Sequence, residues 1–217
     1  GYAADAFGTL GAANLTMSML DEGTETLDAL EIDEAVRRLG ATLGSGSNLD
    51  VSTVSMSTLT ENLAPATELL ADVVLNPAFR EEDFQRLKRQ TLAQIQQEAV
   101  NPFSMALRVM PLLMYGEGQP YALPLTGSGT TRSVQSLRTE DLRDFHDTWF
   151  KPNNSRLLVV GNTTMEEMRR IAEAAFRGWE RGDTPDKALP TVAQQDGQAI
   201  YVMDRPDAVQ SVIVAGQ

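Results

Sequence analysis

The chain has 217 residues, 42% of them hydrophobic, and 30 acidic against 18 basic side chains give a formal net charge of −12. That length can bury the core of one domain or of two small ones, while the acid excess argues against nucleic acid or an anionic membrane as partner, since both reward clustered Lys and Arg. The absence of cysteine removes disulfides, zinc fingers and thiol nucleophiles, and no apolar run approaches the ~20 residues a membrane span needs. Gly1, not Met, opens the chain, so an excised piece of a longer protein is expected.

The first periodic stretch, residues 11–24, reads G-A-A-N-L-T-M-S-M-L-D-E-G-T, with Leu10, Ala13, Met17 and Leu20 at helical spacing and Gly23 as a stop. Residues 27–39 form a second amphipathic helix closed by Gly40. Residues 41–59 then alternate with period two and are rich in Thr and Val, which predicts a hairpin of strands 41–47 and 50–59 turning at Asn48-Leu49-Asp50. Helices follow over 61–75 and 81–100, each stopped by an Asn-Pro pair. A further helix over 103–115 is expected to kink or break near Pro111.

Glycine and proline make residues 116–129 a long loop. Residues 139–149 read as a helix, 156–161 (R-L-L-V-V-G) as a buried strand, and 165–178 as a helix. Residues 181–198 are polar and proline-bearing, the composition of a linker. Two closing strands, 199–203 and 211–215, flank a turn at Arg205-Pro206-Asp207. Strands and helices that do not alternate strictly predict an α+β architecture.

The order of these elements and the words within them resemble the insulinase–pitrilysin family of zinc metallopeptidases, which includes mitochondrial processing peptidase subunits and bacterial processing-protease-like proteins. Asn14-Leu-Thr-Met-Ser18-Met-Leu-Asp-Glu-Gly23-Thr24 aligns with that family's H-x-x-E-H-M-L-F-x-G-T. Leu39-Gly40-Ala41, Glu68-Leu-Leu-Ala-Asp, Gln119-Pro-Tyr121 with Gly127, and Trp149-Phe-Lys-Pro152-Asn153-Asn154 resemble further family segments in the same order. The resemblance implies a mixed, largely antiparallel sheet of about six strands with helices packed against it. It also implies that the chain begins after the family's first strands: residues 1–180 would form an N-terminal repeat, 181–198 a linker, and 199–217 the opening strands of a second repeat.

In that family two His on one helix face and a Glu from a later helix bind Zn²⁺, and the Glu between the His pair activates the metal-bound water. The matching positions here are Asn14 and Ser18 for the two His, Met17 for the general base, and Gln94 for the distal Glu. Asn, Ser and Gln are neutral and weak zinc ligands, and Met cannot take a proton. No zinc is therefore expected in this chain. Glu98, one helical turn past Gln94, is the nearest substitute carboxylate. The single histidine, His146, is expected to be a partly exposed polar residue and not a ligand.

The resemblance further implies that residues 43–47, Leu43-Gly44-Ser45-Gly46-Ser47, form the edge strand on which an extended peptide pairs, a role that needs main chain more than particular side chains. The alternative is that Gly44 and Gly46 merely make a flexible edge or turn. The implied function is that of a non-catalytic domain completing the peptide chamber of a zinc-bearing half or subunit, fused or separate. The alternatives are an inert fragment of an active zinc protease and a purely structural assembly module. Family analogy implies a periplasmic setting.

Overall fold

The computed structural model of the chain describes residues 1–186, 190–192, 197, 199–204 and 206–216. Among the described residues, eight α-helices and one hairpin follow a short 3₁₀ turn at Tyr2–Phe7: α1 (Ala12–Met19), α2 (Ala29–Arg38), β1 (Thr42–Ser47), β2 (Ser52–Ser57), α3 (Leu63–Leu75), α4 (Glu81–Val100), α5 (Pro102–Tyr115), α6 (Thr131–Ser136), α7 (Thr139–Trp149) and α8 (Met165–Ala175).

Local chemistry accounts for the helix ends. Asp28 and Glu31 form a reciprocal capping box at the start of α2: Asp28 Oδ1 accepts the Glu31 N–H at 2.9 Å, and Glu31 Oε2 accepts the Asp28 N–H at 2.8 Å. Glu81, Glu82 and Asp83 occupy the first turn of α4, where the positive end of the helix dipole favours them. Asn101 ends α4 and begins α5, its Oδ1 accepting the Ser104 N–H at 3.0 Å ahead of Pro102 at the first helical position. α5 runs through Pro111 as one element, so the helix does not break there.

α1 is the hub. It has only eight residues, yet Ala12, Ala13, Leu15, Thr16, Met17 and Met19 are all buried, more than the single apolar stripe of a surface helix. On one side Leu15 and Met19 join Phe84 and Ile95 of α4 and Leu142 and Phe145 of α7. On the other, Met17 and Leu20 join Ile32, Leu69 and Val73, with Leu43, Val54 and Met56 of the hairpin against them. Removing each of these side chains from water stabilises the fold by roughly 1.5–3 kcal/mol.

The expected sheet of about six strands is not formed among the described residues. The one sheet among the described residues is the antiparallel β1–β2 pair, in register from Thr42 opposite Ser57 to Ser47 opposite Ser52. Residues 156–161, 199–203 and 211–215 have strand composition but pair with no strand there; Leu158 and Val160 stand 88% and 100% exposed. Composition alone does not make a strand, because the ladder needs a neighbour's N–H and C=O groups about 4.8 Å away. Of the expected linker and closing turn, residues 187–189, 193–196, 198 and Arg205 lie outside the described residues.

Candidate functional site

α1 owes its start to Asp5. This carboxylate, 3% exposed, comes from the preceding 3₁₀ turn and accepts the N–H groups of Gly11 at 2.7 Å and Ala13 at 2.8 Å. It satisfies two of the donors that a helix N-terminus leaves unpaired. Burial pushes its carboxyl up to about 7, against the lowering effect of those two bonds. Sequence reasoning missed Asp5, because it stands six residues before the helix cap and leaves no capping pattern there.

The metal-like positions on α1 point three ways. Asn14 is half-buried, and its Nδ2 donates to the Thr126 carbonyl at 3.4 Å. Ser18 is exposed. Met17, at the general-base position, is 1% exposed and packs with Ile32, Leu69 and Val73, a place for an apolar side chain and not for a proton acceptor. The loop above Asn14 is tight: a Cβ on Gly127, whose φ is +65°, would fall 2.5 Å from Asn14 Nδ2 and 2.7 Å from the Tyr2 ring. Only glycine fits there.

Gln94 on α4 is exposed, and its Nε2 donates to Glu98 Oε1 at 2.9 Å. Glu98 is itself 6% exposed and forms an ion pair with Arg108 of α5, while Ser128 Oγ donates to Glu98 Oε2 at 2.7 Å. Burial would raise the Glu98 carboxyl, but hydrogen bonds from Ser128, Gln94, Arg108 and Thr126 outweigh it and hold the group below the usual carboxylate range. Glu98 is thus committed to a guanidinium and is not a free metal ligand. The donor set consists of two amides, a hydroxyl and an already paired carboxylate, and it does not fit a zinc ion. Among the described residues no group of three or more His, Cys, Asp or Glu is placed to hold a metal.

His146 is not the partly exposed residue expected from the sequence. It is 9% exposed, its Nε2 donates to the Val74 carbonyl at 2.8 Å, and its ring stacks on Phe150 with centroids 4.4 Å apart. It ties α7 to the end of α3. Its flanking aspartates hid this in the sequence, where nothing marks Val74 as a partner.

Residues 43–47 lie in a regular strand and not in a turn. The Asn48 N–H bonds the Val51 carbonyl at 2.9 Å, so the alternation of an antiparallel ladder turns the main chain of Thr42, Gly44 and Gly46 toward β2 and that of Leu43, Ser45 and Ser47 outward. Among the described residues no backbone partner stands on that outer edge. The strand is fixed from below, because Ser45 Oγ donates to the Met17 carbonyl at 2.8 Å and Leu43 packs against the cluster that holds Met17 and Leu20. A Cβ on Gly46 would meet nothing, and one on Gly44 only Ser55 Oγ at 3.5 Å, so these glycines leave the opposite face of the strand flat and open.

Comparison with known proteins agrees with the order of these features. The family described as Insulinase (Peptidase family M16) matches residues 1–119, and that described as Peptidase M16 inactive domain matches residues 136–216. The zinc protease PqqE of Helicobacter pylori is 22% identical over 93% of this chain and 45% of its own length. The mitochondrial-processing peptidase subunit beta of Bos taurus is 24% identical over 89% of this chain and 39% of its own. Among solved structures, the peptidase M16 inactive domain from Pseudomonas fluorescens superposes with a TM-score of 0.81 at 28% identity, covering 89% of this chain and 46% of that one. The chain therefore spans less than half the length of these relatives.

Proposed function

The chain belongs to the insulinase family, peptidase family M16, as one of its non-catalytic domains, and from that premise we propose that it holds an extended peptide along β1 while a zinc-bearing half or subunit of the same family cleaves it. The observation that carries this reading is the outward main chain of Leu43, Ser45 and Ser47, which has no backbone partner among the described residues and is fixed to α1 through Ser45 and Met17. An unpaired edge of this kind adds a peptide as a further strand by main-chain hydrogen bonds, independent of most side chains. Neutral residues at positions 14, 18 and 94 leave such capture on β1 untouched, because capture and hydrolysis draw on different groups. The zinc and the hydrolytic step belong, in this proposal, to the partner.

The test is a titration of labelled unstructured peptides against the chain and its Ser45→Pro variant. Proline removes the outward N–H at position 45, so weaker binding is expected with the circular dichroism spectrum unchanged. Equal affinity in a folded variant would leave the domain as an inert or purely architectural part.

A further inference from the structure

The two helices that carry the degenerate ligand positions are joined by an unbroken chain of polar contacts. Gln94 on α4 donates to Glu98, Glu98 pairs with Arg108 and accepts from Ser128, Ser128 Oγ lies 2.9 Å from Thr126 Oγ1, and the Thr126 carbonyl takes the amide of Asn14 on α1. Arg108 closes the circuit, reaching Ser128 Oγ at 2.7 Å and the Gly129 carbonyl at 2.6 Å. Independently, the space that a Cβ on Gly127 would need is filled by Asn14 Nδ2 and the Tyr2 ring, so the loop rests directly on the first degenerate ligand.

We propose that this polar chain, centred on the largely buried Glu98–Arg108 ion pair, is the protein's own cross-link between α1 and α4, standing where a metal would otherwise join them. The site is then a sealed joint and not a latent metal centre. One metal ion draws two helices together through ligands from each; here one ion pair does so through a loop that both helices contact. The two groups of the pair are 8% and 15% exposed at their side chains, so solvent screens them little and removal of either strands the other. The inference is independent of peptide capture on β1, since none of these residues lies on that strand.

Amide hydrogen exchange of the full 217-residue chain, read by mass spectrometry, tests it. In Arg108→Met, exchange across residues 125–129 is expected to rise by at least about tenfold, accompanied by α1 and the C-terminal half of α4, with the β1–β2 hairpin unchanged. A rise confined to residues 125–129 would overturn the cross-link, as would zinc ions slowing exchange in α1 of the unaltered chain. Should Arg108→Met fail to fold, Ser128→Ala removes one link and leaves the ion pair. The same pattern at smaller size is expected there, and unaltered exchange in α1 would again overturn the proposal.

Discussion

Ser45 Oγ of β1 donates to the main-chain carbonyl of Met17, 28 residues earlier and in the last turn of α1, at 2.8 Å. That carbonyl lies at the end of the helix, where it also takes the Leu20 N–H at a long 3.3 Å, so a strand side chain serves as a second part of the helix's C-terminal cap. Ser45→Ala is expected to destabilise the chain by about 0.5–1.5 kcal/mol, the net contribution of one hydrogen bond to a carbonyl that keeps the Leu20 N–H as its other partner. Calorimetry would register this as a fall in Tm of several degrees, on the order of 2–4 °C per kcal/mol for a chain of this size. An unchanged Tm would mean that water replaces the hydroxyl freely.

Met17→Glu puts the family's general base back at its position. In this fold that position is a core site among Ile32, Leu69 and Val73, so the new carboxylate has no partner and little water. Destabilisation of roughly 3–5 kcal/mol is expected, in the range for an uncompensated buried charge, measured by urea unfolding at neutral pH. A variant as stable as the original would show that α1 can rotate to expose position 17.

Asp5 gives the stability a pH dependence of definite sign. Its carboxyl is held at about 7 in the folded chain, against roughly 3.9 in an unfolded one. Between these values the folded state binds more protons than the unfolded state, so this group's contribution to stability is full below about pH 4 and declines as pH rises toward 7. The total is on the order of 4 kcal/mol at about 1.4 kcal/mol per pH unit of difference. Urea unfolding at several pH values across that window, with Asp5→Asn as the reference, isolates the slope. Parallel profiles for the two proteins would refute it.

The sequence was legible where the pattern was local. Residues 81–100 read as a helix and form α4 with the same limits, because Phe84 and Ile95 lie within the segment and the Asn101-Pro102 stop follows it directly. The substitutions at positions 14, 17, 18 and 94 were equally plain, since identity alone decides what an amide or a thioether can ligate. What could not be read was set by partners far along the chain. Asp5 acts on a helix it does not belong to, Glu98 finds Arg108 across a helix boundary, and His146 finds the carbonyl of Val74, 72 residues away. α6 escaped notice because a six-residue helix with Val134 as its only buried side chain shows no period. The strand expected at 156–161 failed for the opposite reason: Leu157 to Val160 have the right composition, but a ladder depends on a neighbour that composition does not describe.

The bareness of Leu158 and Val160 has a colloidal consequence. Two chains that meet at this run would bury apolar surface at once, and what holds them apart is mutual repulsion between bodies of net charge −12. That repulsion reaches about 8 Å at physiological ionic strength but only about 3 Å at 1 M salt. The isolated chain is therefore best kept in dilute, weakly salted buffer, and concentrated brine is expected to drive it toward self-association through this exposed run.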